Sequence, residues 1–416
     1  MLHDFRFALR QLFKAPGFTA TAVLVLGLGI GANTAVFSLV NTMLFAPPGY
    51  PRPNELVQIF SQDTKNPKSF RAFSYPTLND IREQNSVFSG VAGHNVALVG
   101  LGDKDNTRRT FADIATANYF DVLGVAPIIG RGFTLEEEKP GHAASVAIVS
   151  YGYWARHNFD RSVLGSEIKI NGRPYTVIGI MPRQFAGTLA VVSPELWVPF
   201  SAYDFVMNDF GGTGEQEDLA SRTGQKLLLI GRFKPGVTAA SAEPALKTLA
   251  HNLEQAFPVE QKDQTFIVRP LSRFDISDGP ADDENQITAI GPLLMGMAAI
   301  VLLVACMNLA NMLLARGTAR RKEIAIRLAL GGTPARLAGS LFRYTTATVA
   351  IGVLIGGAVL LPVAKRIEPM LFHTNVLAPA ALLGVAALAL LIALGAAVGP
   401  ARALLRTGVM DVLREQ

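Results

Sequence analysis

Four hydrophobic runs, spaced very unequally along the chain, constrain its fold more than any other feature of the sequence. None of them contains Asp, Glu, Lys or His, and their bounds are Phe18–Ala46, Ile287–Ala315, Leu337–Ala364 and Val376–Ala401. Each is longer than the ~20 apolar residues that cross a bilayer as a helix. The runs therefore predict an integral membrane protein of four transmembrane helices, with residues 47–286 forming one large domain between helices 1 and 2.

The charge distribution predicts on which side of the membrane this domain lies. Residues 48–286 carry 23 Lys and Arg against 28 Asp and Glu, whereas the rest of the chain carries 15 basic against 5 acidic side chains. Lys and Arg concentrate in cytoplasmic loops beside membrane helices. The basic segments 1–17 and 316–336 are therefore predicted to be cytoplasmic, as are both termini, and the large domain is extracytoplasmic. The short basic segment 365–375 argues weakly against this topology.

Strand and helix patterns predict an α+β fold for the extracytoplasmic domain. The first predicted β-α-β passage consists of strand Glu55–Phe60, helix Pro76–Gln84 and strand Val91–Leu101. The second consists of strand Lys226–Phe233, a helix capped by Thr238 that ends near Phe257, and strand Thr265–Leu271. Between them, a subdomain inserted at about 118–220 is predicted to contain strand Ser145–Ser150, a helix capped by Ser150, and a hairpin of Glu167–Ile170 and Tyr175–Ile180 turned at Asn171-Gly172.

The sequence lacks the common catalytic motifs. It contains no H-E-x-x-H, no G-x-S-x-G and no G-x-x-x-x-G-K-[ST], and its single cysteine, Cys306, lies in the second hydrophobic run. The acidic run Glu136–Glu138 follows Thr134 and is predicted to be the first turn of a helix rather than a cation site. We therefore predict no enzyme activity, no catalytic residue, no metal and no cofactor. Any ATPase activity is expected in a separate partner subunit.

Small and amide side chains inside the hydrophobic runs are predicted to pack the membrane helices against one another. Glycines four residues apart allow two helices to approach closely, and amides hydrogen-bond between helices. The predicted packing residues are Gly27, Gly31, Asn33, Asn308, Asn311, Gly352 and Gly356. A substrate path lined by the amides is the alternative interpretation.

Two segments outside the predicted spans have the pattern of amphipathic helices. Residues 1–17 are predicted to form a helix in the cytoplasmic membrane interface, or else a simple charged flank. In the segment 316–336, Ile324 and Leu328 alternate at helical spacing with basic side chains, and Gly331-Gly332 ends the helix. This second helix is suited to docking in a groove of another protein, or alternatively to lying on anionic lipid.

The segment between the second and third runs resembles that of the MacB/FtsX-type ABC transporter permeases, whose pattern is roughly N-x-x-L-A-R-x-x-x-R-x-x-E-I-A-I-R-x-A-L-G-A. The matching residues are Asn311, Leu314, Ala315, Arg316, Arg320, Glu323, Ile324, Ala325, Ile326, Arg327, Ala329, Leu330 and Gly331. Further similarities are Ala117-Asn118-Tyr119-Phe120, Gly130-Arg131, the Asn171-Gly172 hairpin and the tail after Pro400. The resemblance implies a MacB-like periplasmic core domain at 47–286 and an FtsX-like permease domain at about 287–410.

The opening residues, Phe7 to Ala35, are most similar to a duplicated subgroup of orphan permeases from acidobacteria. Chains of that subgroup usually carry a second four-helix half. This resemblance leaves three readings of the chain, namely a half-size relative, a fragment, or a protein that needs a partner half. Tyr344 departs from the family, in which many members have Glu early in the third span.

The resemblance implies a permease subunit of the bacterial cytoplasmic (inner) membrane that works with a separate cytoplasmic ABC ATPase. ATP hydrolysis would move the extracytoplasmic domain for export or envelope mechanotransmission. The residues implied to contact the ATPase are Arg320, Arg321, Glu323, Ile324, Arg327 and Arg336. Other implied partners are a second copy or a second permease half, a periplasmic adaptor or envelope protein, and membrane lipid, but not nucleic acid. The alternative is a non-transporting signalling or scaffold protein whose outer domain binds an envelope partner.

Overall fold

The computed structural model describes residues 48–280 except 104–105, 143, 190–192, 208–217 and 274–276, together with Gly17 and isolated helical positions within 292–307 and at 387 and 391. The chain divides into two compact units, one formed by residues 47–285 and the other by residues 1–46 and 286–416. No helix among the described residues is both long enough and apolar enough to cross a membrane. Apart from those isolated positions, the four predicted spans and the segments 1–17, 316–336, 365–375 and 402–416 lie outside the described residues.

The described part of unit 47–285 contains twelve strands and six α-helices. The strands are β1 Leu56–Asp63, β2 Phe70–Arg71, β3 Phe73–Ser74, β4 Phe88–Asp103, β5 Asn106–Ala115, β6 Ile129–Gly130, β7 Val146–Val149, β8 Glu167–Ile170, β9 Arg173–Ile180, β10 Leu196–Pro199, β11 Gln225–Phe233 and β12 Gln264–Pro270. The helices are α1 Tyr75–Gln84, α2 Tyr119–Leu123, α3 Leu135–Glu138, α4 Tyr151–Arg156, α5 Tyr203–Val206 and α6 Ala239–Ala256.

The two predicted β-α-β passages are confirmed, and the structure interleaves their strands. One passage is β1, α1 and β4, and the other is β11, α6 and β12. In the sheet these four strands take the order β12-β1-β11-β4, so β11 lies between the strands of the first passage and β1 lies between those of the second. All three neighbouring pairs are antiparallel. This is the split β-α-β arrangement, in which each passage contributes a strand to the middle of the other.

The segment predicted as an insertion extends this sheet. From β4 the order continues β5-β10-β7-β9-β6, and β8 pairs with both β9 and the far end of β4. The predicted local elements are confirmed: Ser150 accepts a hydrogen bond from the backbone N of Tyr153 at 3.1 Å and so caps α4, and β8 and β9 form the hairpin. Asn171, at the hairpin turn, has a φ of 49° and Gly172 a φ of 81°, the left-handed backbone that such a turn requires.

Apolar clusters lie on both faces of the sheet, because successive residues of a strand point to opposite sides. In β10, Leu196 and Val198 belong to one cluster and Trp197 to the other. The first cluster includes the buried stripes of α1 and α6, represented by Leu78 and Leu246. The second includes the aromatic residues of α2. The sheet is therefore covered on both sides and forms the centre of the unit.

Candidate functional site

The first described residues of unit 47–285 are packed against its core from Gly49 onward. A Cβ atom on Gly49 would lie 1.7 Å from the carbonyl oxygen of Gln184, so a larger residue does not fit there. Tyr50 follows and is 6% exposed. Burial raises the pKa of the Tyr50 hydroxyl, and the positive charge of Arg273 partly opposes that increase. Gly49 and Tyr50, which come soon after the first hydrophobic run, are thus packed into the domain.

Arg232, near the end of β11, holds this segment through several acceptors. Its Nε donates to the carbonyl oxygen of Val122 at 2.7 Å, and its Nη2 donates to that of Pro51 at 3.2 Å. Its Nη1 donates to Glu55 Oε2 at 3.1 Å and to the carbonyl oxygen of Arg52 at 3.4 Å. The side chain is 8% exposed, where charge-assisted hydrogen bonds are strong. Residues 49–55 together with Arg232 are called the N-terminal clamp below.

The start of β1, the first strand of the domain, lies beside the end of β12, the last strand, next to the clamp. Val57, near the start of β1, pairs with Pro270 at the end of β12. The backbone N of Leu271 donates to the carbonyl oxygen of Leu56 at 3.4 Å. Further on, a Cβ atom on Gly279 would lie 2.7 Å from the ring of Phe70, so the returning chain rests on that ring. The domain therefore holds residues 49–55 and, at Leu271 and Gly279, the chain that leaves β12.

A buried ion pair joins α1 to the segment that follows β5. Arg82 Nη1 donates to Glu138 Oε1 at 2.7 Å, and Arg82 Nη2 donates to Asn118 Oδ1 at 2.5 Å. The Glu138 side chain is 1% exposed, and its Oε2 accepts a hydrogen bond from the backbone N of Ala117 at 2.5 Å. Tyr75 donates its hydroxyl to Glu138 Oε1 at 3.0 Å. This Arg82–Glu138 joint links α1, α3 and the turn before α2.

The position of Tyr75 in this joint raises the pKa of its hydroxyl group. Burial, followed by the negative charge of Glu138, raises the pKa of Tyr75 from 10.0 to about 12. Because the unfolded chain loses this proton at lower pH than the folded chain, the stabilisation is present below pH 10 and is lost as the pH rises towards 12. In a titration followed by absorbance at 295 nm, Tyr75→Phe should remove a component that ionises near pH 12. Loss of a component near pH 10 would contradict this assignment.

A second buried polar group lies between β4, β5 and α2. The Nδ1 of His94 is 3.1 Å from Asp113 Oδ1, and the Tyr119 hydroxyl donates to Asp113 Oδ2 at 2.8 Å. Burial and the nearby Asp113 carboxylate raise the pKa of Tyr119 well above its usual range. All three side chains are buried in the core at the centre of the sheet, where each satisfies a polar atom of another. No cluster of three or more His, Cys, Asp or Glu in the described residues could hold a metal ion.

The membrane and cytoplasmic residues predicted from sequence cannot be placed beside these contacts. The predicted ATPase-contacting residues Arg320, Arg321, Glu323, Ile324, Arg327 and Arg336 lie outside the described residues, as do the packing residues Gly27, Gly31, Asn33, Asn308, Asn311, Gly352 and Gly356.

The predicted acidic first turn is confirmed, because Thr134 caps α3 in a capping box with Glu137. Sequence reasoning missed the clamp and the joint. The one sequence signal for the clamp is Arg232, a charged residue near the end of the apolar strand that ends at Phe233.

Two family models match the chain. The MacB-like periplasmic core domain matches residues 19–249, and the FtsX-like permease C-terminal domain matches residues 295–409. Among curated relatives, the uncharacterized ABC transporter permease YknZ of Bacillus subtilis is 27% identical over 57% of this chain and 53% of its own length. The macrolide export ATP-binding/permease protein MacB of Azoarcus sp. is 25% identical over 89% of this chain and 51% of its own length.

Another MacB, from Aggregatibacter actinomycetemcomitans, is 26% identical over 62% of this chain and 35% of its own length. The chain thus spans between a third and about half of the length of these relatives. Among solved structures, the periplasmic region of MacB from Actinobacillus actinomycetemcomitans is 17% identical and has a TM-score of 0.38, covering 55% of this chain and 93% of that chain. The extracellular domain of the ABC-type transporter YknZ from Gram-positive bacteria is 17% identical with a TM-score of 0.36, covering 51% and 99%.

Proposed function

Because the chain belongs to the MacB/FtsX-type family of ABC transporter permeases, we propose that it passes the energy of ATP hydrolysis by a separate cytoplasmic ATPase to its extracytoplasmic domain. The resulting movement would serve export or envelope mechanotransmission. The N-terminal clamp is the observation that carries this proposal. A device that transmits movement needs a stiff connection between the moving helix and the domain, and Gly49 is packed against the core only three residues after Ala46 ends the first hydrophobic run.

The clamp favours transmission because the described residues 49–55, soon after the first hydrophobic run, are fixed to the core of the domain. A Gly/Ser-rich linker behaves as a random coil and would separate the motions of its two ends. Here, by contrast, a displacement at Pro51 or Arg52 acts through Arg232 on β11. The first two predicted helices, at ~1.5 Å per residue, would each be ~43 Å long, which exceeds the ~30 Å hydrocarbon core. The excess length would suit helices that extend beyond the membrane towards the domain.

The ATPase is proposed to contact the cytoplasmic segment 316–336, with Glu323 and Arg327 at the centre of that contact. Replacing both by Ala is expected to abolish co-purification of the ATPase from native membranes and its stimulation by the permease. The matched control is the double variant Glu136→Ala/Lys139→Ala, which removes an exposed ion pair of 2.7 Å from the outer domain. Unchanged ATPase binding and stimulation in the Glu323/Arg327 variant would refute the contact.

We further propose that the chain is a multi-pass inner-membrane protein with cytoplasmic termini, and that it acts as a homodimer or with a second permease half. The similarity of its opening residues to the duplicated acidobacterial permeases supports the second of these arrangements, pairing with another permease half. Mass spectrometry of the complex purified from native membranes tests self-association and ATPase pairing together. If the protein is recovered reproducibly without any ATPase, the scaffold function becomes the better explanation.

A further inference from the structure

The short helix α2 lies between the N-terminal clamp and the Arg82–Glu138 joint. Near its C-terminal end, the carbonyl oxygen of Val122 accepts a hydrogen bond from Nε of Arg232 at 2.7 Å. Gly124, which ends the helix, is also close to the clamp, because a Cβ atom there would lie 2.9 Å from Pro51 Cγ. The C-terminal end of α2 therefore packs directly against the clamp.

The N-terminal end of α2 is held by the joint. Asn118 precedes the helix, where an Asn side chain commonly caps the backbone, but it makes no capping hydrogen bond here. Instead, its Oδ1 accepts from Arg82 Nη2 at 2.5 Å, and its Nδ2 donates to the carbonyl oxygen of Val91 at 2.9 Å. The backbone N of Ala117 donates to Glu138 Oε2 at 2.5 Å. The start of α2 is therefore bonded to both members of the ion pair.

The contacts of α2 with the rest of the domain determine its position. The helix has only five residues, and helices shorter than ~12–15 residues are marginal by themselves in water. The ring of Phe120 lies 5.8 Å from that of Trp197 and 6.1 Å from that of Phe185. It also lies 6.1 Å from the ring of Phe133, which directly precedes the cap of α3. A change at either end of α2 is therefore expected to alter the whole helix.

We propose that α2 is a relay that couples the N-terminal clamp to the Arg82–Glu138 joint, so that a shift of residues 49–52 displaces α2 and reaches α1 and α3. The use of this relay in transmission rests on the proposed function, and it identifies the part of the extracytoplasmic domain that receives movement from the clamp. The coupling itself is a property of the domain and needs no ATPase.

Hydrogen exchange of the full chain in lipid nanodiscs, without any ATPase, tests the coupling from both ends. Arg232→Ala alters the clamp and should raise exchange in the turn before α2 at least tenfold. Arg82→Ala alters the joint and should raise exchange in residues 49–56 at least tenfold, because local opening sets the exchange rate. Coupling between two sites is reciprocal. Unchanged exchange at either distant end would therefore overturn the relay, as would an equal rise throughout the domain, α6 included.

Strand β4 offers a second route between the two arginines, which a further variant excludes or establishes. Arg82 Nε donates to the carbonyl oxygen of Val91 at 3.0 Å, and Gly90 beside it pairs with Arg232. Asn118→Ala detaches the start of α2 from Arg82 and leaves the bonds of Arg82 to Val91 and Glu138 in place. It should raise exchange in residues 49–56 several-fold. Unchanged exchange there would assign the coupling to β4 and overturn the role of α2.

Arg222→Ala is the matched control for the loss of an arginine bonded to α1. The Arg222 side chain is 19% exposed, close to the 17% of Arg82, and its Nη1 donates to Asp80 of α1 at 2.5 Å. Its contacts among the described residues do not include α2. Exchange in residues 49–56 should remain unchanged in this variant. A rise equal to that of Arg82→Ala would show a general loss of stability and would contradict the relay.

The relay and the proposed function can fail independently. Because the exchange measurements contain no ATPase, a negative result leaves the predicted contact of Glu323 and Arg327 with an ATPase untouched. Conversely, loss of that contact would leave the exchange of residues 49–56 as it is. The two sets of measurements therefore distinguish an uncoupled domain from a permease without an ATPase partner.

Discussion

Arg82→Ala is expected to raise amide hydrogen exchange in α3 and in the turn before α2 by at least about a hundredfold. The substitution leaves the Glu138 carboxylate, which is 1% exposed, without its cationic partner. Removing one partner of a buried ion pair costs about 3–5 kcal/mol, and each 1.4 kcal/mol corresponds to about a tenfold change in an equilibrium constant. Exchange measured by mass spectrometry on the full chain reports this change, because local opening sets the exchange rate.

Two further variants identify the cause of the Arg82 effect. Arg82→Ala/Glu138→Gln should recover part of the lost protection, since it no longer buries an unpaired charge, and this recovery measures the coupling of the two residues. Arg131→Ala is the control, because it removes an arginine that is 50% exposed and lies 2.7 Å from Glu137, the neighbour of Glu138. The guanidinium donates to both carboxylate oxygens of Glu137, but it is half exposed, so its loss should cost about 1 kcal/mol, at the upper end for a surface pair. Equal exchange in Arg82→Ala and Arg131→Ala would contradict the importance of the buried joint.

Arg232→Ala is expected to release the N-terminal clamp. The carbonyl oxygens of Val122 and Pro51 would lose a donor, and Glu55 would lose one of its two arginine partners. An unsatisfied buried polar group costs about 1–3 kcal/mol, so the local loss should be on the order of 3 kcal/mol. We expect exchange in residues 49–56 to rise by about a hundredfold, while α6 remains protected.

Arg232→Lys tests whether the clamp needs the fork-shaped guanidinium or only its positive charge. Lys234→Ala is the control for removing a neighbouring positive charge. Lysine keeps the positive charge but lacks the planar set of donors, so Arg232→Lys should restore only a small part of the protection. Lys234 is exposed and its Nζ donates only to the carbonyl oxygen of Ser86, at 2.8 Å, among the contacts of the described residues. Its replacement by Ala should leave the clamp unchanged. Protection of residues 49–56 in Arg232→Ala equal to that of the unmodified chain would show that another contact holds the segment.

Local elements of the outer domain were predictable because their signals lie within a few neighbouring residues. The predicted strand Lys226–Phe233 agrees with β11, Gln225–Phe233, and Thr238 caps α6 as expected. The Asn171-Gly172 hairpin was recognisable because its turn needs left-handed backbone at both positions. In each case the residue type and its immediate neighbours determine the structure.

The interleaving of the two β-α-β passages was not predictable in this way. β1 pairs with β11, more than 150 residues later in the chain, and hydrophobic patterning does not specify which strand becomes the neighbour. The same holds for Gly49, whose need for glycine arises only from the approach of the Gln184 carbonyl oxygen. Contacts between distant parts of the chain therefore determine the candidate site, whereas local patterns determine the elements that build it.

The length of β4 gives the domain a mechanical property. The strand pairs Gly90 with Arg232 at the clamp and continues without interruption to Gly102, which pairs with Lys169 of β8. Twelve residues of strand at ~3.3 Å per residue make a lever arm of up to about 40 Å. A rotation of about 5° at the clamped end would swing the far end through about 3–4 Å over such an arm. A small rotation about the clamp would thus become a side-chain-sized displacement at the far end of β4.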